Sequence, residues 1–210
     1  MGTAPARPRN WWLVALLCAL IPVVSCGGKG LTGTDLGKTV APEFVLNDAA
    51  GAPLSLAGLR GQTVLLTFLY TQCPDVCPAL AGKLAAAYVR LGGARDRVTF
   101  VAVSVDPRGD TADSVTAFTR EHGLAALGPH WRYLLGDGAS LPPVWHAYGI
   151  GAEPHPQPAA IRPGGTPEPV VIDHEAAMYL IDSRGRERVL LRPDVSTQVL
   201  VNDLKTLASE

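Results

Sequence analysis

A chain of 210 residues, 47% apolar and 18% charged, has the composition of a packed globular protein and the length for one ordinary domain plus an appendage. Eighteen basic against nineteen acidic residues leave a formal net charge of −1. That balance excludes the single-signed field that gathers nucleic acid or an acidic partner, so no nucleic-acid partner is expected.

Arg7 and Arg9 precede an uncharged apolar run from Trp11 to Val24, the order of a basic n-region and an h-region, so residues 1–25 are expected to be an export signal. The run closes on Val23-Val24-Ser25-Cys26 with Gly27 behind, which resembles the bacterial lipobox, whose cysteine receives lipid and becomes the mature N-terminus. On that resemblance Cys26 is the lipid attachment site and the protein sits on the outer face of the cytoplasmic membrane. The run is shorter than the about 20 apolar residues of a spanning helix. An uncleaved signal anchor is the alternative and would change the tether but not the side. Of four cysteines, Cys18 would leave with the signal and Cys26 would carry lipid, which leaves Cys73 and Cys77 in a compartment where disulfides persist. Residues 26–39, rich in glycine and threonine, are expected to form a flexible tether, with one domain over 40–210.

Within that domain Glu43 to Leu46 and Ala52 to Leu54, around Asn47-Asp48-Ala49-Ala50-Gly51, predict a β-hairpin, followed by a helical turn at Leu56 to Leu59. Val64 to Leu69 is a continuous apolar run of strand length, as in a strand covered on both faces. Leu80, Leu84, Tyr88 and Leu91 then recur at helical spacing until Gly92-Gly93. Val98 to Val105 predicts a second buried strand, with Asp106 to Asp110 as its closing loop. Asp110 or Thr111 caps a helix bearing Val115 and Phe118, which Gly123 ends. Trp131 to Leu135 predicts a third strand, and Ser140 caps a short helix through Tyr148. Pro154, Pro156, Pro158, Pro163, Pro167 and Pro169 mark 151–169 as a long surface loop. Val170 to His174 and Ala176 to Ile181 read as strand, Ser183-Arg184-Gly185 as a turn into Val189 to Leu191, and Ser196 to Leu207 as a closing amphipathic helix. Strands alternating with helices predict an α/β architecture: a mostly parallel central sheet with antiparallel edge strands, flanked by helices, in the order of a thioredoxin-like fold with an N-terminal hairpin extension.

The chemistry concentrates in Cys73-Pro74-Asp75-Val76-Cys77-Pro78, at the junction of the first buried strand with the helix after it. A helix starting at Pro78 avoids an internal proline, which puts Cys77 at the cap and Cys73 in the loop before it. The positive end of the helix favours thiolate at both. Three readings compete. A structural disulfide would close too short a loop to stabilise much. A redox pair is open, although thioredoxin-type motifs carry two intervening residues and this one carries three. A soft metal site, for Cu(I) or zinc, needs a third ligand. His122 and His146 fall late in predicted helices, His130 lies in a loop beside Trp131, and His155 sits among prolines. His174 interrupts an apolar strand beside Asp173, and without Cys73 and Cys77 it would read rather as a hydrogen-bonded core histidine. Met178, within an uninterrupted apolar strand, is expected in the core.

Thr71-Gln72-Cys73-Pro74-Asp75-Val76-Cys77-Pro78, then Val103-Ser104-Val105-Asp106-Pro107 with Asp110-Thr111, then Asp173-His174 before Tyr179-Leu180-Ile181-Asp182, resemble the Sco/SenC family over roughly residues 40 to 208. The resemblance implies a membrane-tethered, thioredoxin-like copper chaperone that helps assemble the dinuclear copper centre of cytochrome c oxidase subunit two, or serves another copper protein. It implies Cys73, Cys77 and His174 as ligands for copper, as Cu(I) or Cu(II), with Asp75 and Asp173 as outer-sphere partners or simply as turn and helix-end residues. Two positions depart from the family pattern: Gln72 stands where many members have histidine, and Arg108-Gly109-Asp110 lacks the arginine that members place beside the last aspartate. The alternative activity is a thiol–disulfide oxidoreductase using Cys73 and Cys77 as exchanging partners on the same client. Peroxide reduction by a lone thiol is disfavoured by the second cysteine nearby and by the lack of a peroxidase motif.

Overall fold

The computed structural model describes residues 1–3, 30–151, 153–154, 172–173 and 176–210. Contacts gather the chain into Met1–Gly30 and Leu31–Glu210, and the second unit carries the fold. The apolar run expected to be an export signal, Cys26, His155 and His174 lie outside the described residues.

Seven-residue runs of β-branched and apolar side chains make the two central strands, β4 (Thr63–Leu69) and β5 (Val98–Ser104), and every residue of both is buried. Alternation gives way to continuous burial because both faces of these strands are covered. They pair in parallel, Thr63 opposite Val98 through Leu69 opposite Ser104, and β5 pairs in parallel with β6 (Trp131–Leu135). Antiparallel strands complete the sheet on either side. Beyond β4 lie β9 (Met178–Ile181), β10 (Glu187–Leu191) and β1 (Thr34–Asp35); beyond β6 lie β2 (Val45–Asp48) and β3 (Pro53–Ser55). Parallel pairing is confined to the three strands whose connections run through helices, α1 (Val76–Leu91) between β4 and β5 and α2 (Ala112–Glu121) between β5 and β6. The sheet expected to be mostly parallel is instead mixed, with antiparallel pairings in the majority. The predicted hairpin is β2–β3, and it joins the sheet through Asn47 opposite Leu135.

Helix α1 turns Cys77, Leu80, Ala81, Leu84, Ala87 and Leu91 inward at helical spacing. It packs on α4 (Thr197–Ala208), which also lies on β4. Thr111 caps α2 in a reciprocal arrangement with Ser114, each side chain accepting the other's backbone N–H. Ser196 caps α4. Ser140 precedes α3 (Leu141–Ala147) without capping it, because its backbone is already helical and its hydroxyl oxygen accepts from the Asp137 N–H at 2.9 Å instead. Met178 is fully buried in β9. Of the proline-rich stretch, the structure describes a two-strand ribbon, β7 (Glu153–Pro154) against β8 (Ile172–Asp173).

The expected tether over 26–39 is corrected for its second half. Residues 34–35 form β1 against Leu190 and Val189, the Thr32 N–H donates to Asp203 in α4 at 3.0 Å, and Val40 bridges Arg186. Composition hid this because β1 contributes backbone rather than large side chains. Gly33, at φ +97°, shows the constraint: a Cβ there would meet the Leu190 carbonyl oxygen at 2.5 Å.

Candidate metal centre

Because β4 and β5 are parallel and in register, their carboxyl ends open side by side, and the loop leaving β4 carries Cys73 and leads directly into Cys77 at the start of α1. The Cys73 N–H closes a turn on the Tyr70 carbonyl at 3.4 Å, and α1 begins at Val76 with Asp75 as its flanking residue. The expectation that the helix starts at Pro78 with Cys77 as its cap is therefore corrected. Pro78 is the third helical residue, where a missing N–H has no intrahelical partner to lose, and the carbonyl four residues back, that of Pro74, lies outside the helix.

Cys77 consequently stands inside the first turn, buried, while Cys73 is half-buried just before it, and both are free. The Cys77 N–H donates to Cys73 Sγ at 3.3 Å. The Cys73 thiol is lowered from 9.0 to about 5, chiefly by a hydrogen bond from the Cys77 thiol, against the cost of partial burial. The N–H groups of Asp75 and Cys77 and the Tyr70 side chain add to the lowering. Cys77 moves the opposite way: its role as donor to Cys73, then its burial, push its thiol well above the ordinary range. One sulfur is an accessible thiolate at neutral pH and the other a sequestered thiol. Asp75 is exposed, and its backbone N–H rather than its carboxylate addresses Cys73.

The remaining expected ligand is not brought into view. Asp173 belongs to β8, opposite Glu153, and His174 follows it outside the described residues. Among the described residues no three histidine, cysteine or acidic side chains converge to hold a metal ion. His122 ends α2 edge-on to Phe118, and His130 Nδ1 lies 3.1 Å from the Val98 carbonyl, so both are engaged in packing. Two sulfurs form a soft donor pair that suits Cu(I) and leaves room for another ligand. Beside Val76, Ala176, Ala177, Leu190, Leu191, Arg192 and Pro193 line a cavity of about 270 Å³.

The neighbouring loop, from β5, holds a residue whose importance the sequence did not reveal. Asp110 is buried, and its carboxylate accepts from the Thr71 N–H (2.8 Å), Thr71 Oγ1 (2.7 Å), Ser104 Oγ (2.6 Å) and the Tyr133 hydroxyl (2.7 Å). Burial, then the Asp110 charge, hold the Tyr133 phenol well above its usual range, so it stays a donor. In the same loop a Cβ on Gly109 would lie 2.1 Å from Asp106 Oδ2, so an arginine beside Asp110 would require the Asp106 side chain to shift.

The SCO1/SenC family profile matches residues 32–209, the whole of the folded unit but its ends. The chain belongs to the SCO1/SenC family. A mouse mitochondrial SCO2 homologue is 31% identical over 145 residues, 68% of this chain and 52% of that protein. This Sco chain spans about half the length of the mammalian relatives it matches. Among solved structures, copper-bound ScoI of Bradyrhizobium japonicum is 27% identical at a TM-score of 0.67, covering 80% of this chain and 99% of the other. Apo Sco1 of Thermus thermophilus is 29% identical at 0.68, covering 84% and 96%. The expected thioredoxin-like architecture is therefore the one this Sco protein has.

Proposed function

We propose that this Sco protein is a copper chaperone, lipid-anchored through Cys26 on the outer face of the cytoplasmic membrane, that carries Cu(I) on Cys73, Cys77 and His174. Its client on this reading is the dinuclear copper centre of cytochrome c oxidase subunit two, as the family resemblance implies. The observation that carries the reading is the pair itself: two cysteines free of a disulfide at a helix N-terminus, the Cys77 N–H 3.3 Å from Cys73 Sγ, in a chain similar to a ScoI protein solved with copper bound.

Copper is cargo here. Cys73 meets it as a thiolate, and Cys77 gives up its proton as the second sulfur bonds, so loading releases a proton at neutral pH. Low coordination lets a client thiolate replace the more accessible sulfur, Cys73, first. The N–H groups of the first helical turn then receive the departing thiolate. The same asymmetry favours a second reading, thiol–disulfide exchange: Cys73 thiolate attacks a client disulfide, one client sulfur leaves as thiolate, and Cys77, on losing its proton, resolves the mixed disulfide. The client gains two electrons, and Cys73–Cys77 is left oxidised.

His174→Ala separates the two. Chaperone function predicts a large loss of Cu(I) affinity in chelator competition, with disulfide exchange against glutathione nearly unchanged. Full affinity in the variant would remove His174 from the ligand set. Copper content after purification under reducing conditions, near one per chain or absent, decides whether the pair holds the metal at all.

A further inference from the structure

We infer that Asp110 is a positioning residue for the thiol pair, an inference that rests on the reading of Cys73 and Cys77 as the working groups. Its carboxylate joins the end of β4 through Thr71, the end of β5 through Ser104, and β6 through Tyr133. Thr71 Oγ1 also lies 3.0 Å from Ser114 Oγ in the first turn of α2, so the clamp reaches that helix as well. Two donors on each carboxylate oxygen saturate it, and none of the four is a cation. A buried charge so placed depends on those hydrogen bonds, and bonds to an ionised acceptor are about twice as strong as neutral ones. The carboxylate is not needed to cap α2, a task Thr111 performs.

What remains for Asp110 is Thr71, two residues before Cys73. The turn from Tyr70 to Cys73 hangs between the end of β4 and the start of α1, its closing bond at 3.4 Å is long, and Gln72 is exposed. The two bonds from Thr71 to the Asp110 carboxylate fix this turn against the sheet, whereas Cys77 is placed by the buried face of α1 and meets the turn through the Tyr70 backbone. The 3.3 Å approach of the Cys77 N–H to Cys73 Sγ therefore depends on Asp110 holding one partner in place.

The test uses the full chain with Asp110→Ala and Asp110→Asn, reading Cu(I) affinity by chelator competition and the dithiol–disulfide equilibrium against glutathione. Asparagine offers Oδ1 to both Thr71 donors and Nδ2 to the Ser104 and Tyr133 oxygens, so it keeps the placement and drops the charge. Asp110→Ala is expected to weaken Cu(I) binding about tenfold and shift the glutathione equilibrium severalfold, with Asp110→Asn within about threefold of the parent. An alanine variant unchanged in both readouts overturns the inference. So does an asparagine variant as impaired as alanine, because charge rather than placement would then be at work. Where alanine prevents folding, Thr71→Val, which removes only the hydroxyl arm, should move both readouts in the same direction by less, and no movement overturns the inference. A parent protein that takes up no Cu(I) would sink the copper reading alone, since the glutathione equilibrium still decides the role of Asp110.

Discussion

Two loops leave the same edge of the sheet from neighbouring parallel strands, and they are built to opposite ends. The loop after β5 is saturated: Asp110 takes four hydrogen bonds, Asp106 accepts from Arg108 and Gly109, and the Ser104 carbonyl accepts from Trp145. The loop after β4 offers a half-buried thiolate and an exposed Asp75. On the proposed reading the chemistry belongs to the loop with the exposed surface, and the saturated one supplies the rigidity it leans on.

The comparison breaks most visibly at the sulfurs. Cys73→Ser should reduce Cu(I) affinity by more than the about 10- to 100-fold that loss of an outer partner costs, as chelator competition would measure. A smaller loss would mean that the loop after β4 is not where metal binds. Next comes ionisation: alkylation of Cys73 followed against pH should show a midpoint about 5 rather than 9.0. Because the Cys77 thiol is the largest cause of the lowering, Cys77→Ala should move that midpoint upward, and a midpoint that stays put would deny the pairing. The smallest effect is expected on the saturated side. Tyr133→Phe removes one of the two donors to Asp110 Oδ2 and should cost about 1–2 kcal/mol in denaturant unfolding, Ser104 remaining as partner.

Elements whose evidence is local were legible in the sequence. The run Val64 to Leu69 and the β-branched run from Val98 announced the central strands, and Trp131 to Leu135 matched β6 at both ends. The start of α1 was missed because a rule about proline in helix interiors was applied to its first turn, where it does not bind. β1 was missed because two exposed paired residues, Thr34 and Asp35, within a glycine-rich stretch carry no side-chain pattern. The cysteine pair was readable as a motif, but its asymmetry was not, since that comes from burial and from which sulfur receives the N–H groups. Asp110 was readable only as a cap; its partners Thr71, Ser104 and Tyr133 lie on three different strands or their ends, and no spacing rule joins them.

The sheet ends in β1, two residues long, and β3, three residues long with Pro53 among them. Neither margin presents a long row of free N–H and C=O groups, and proline removes one donor outright. Among the described residues, the margins of the eight-stranded sheet therefore offer a second copy of the chain little to pair with, and the fold limits edge-to-edge association by its own outline.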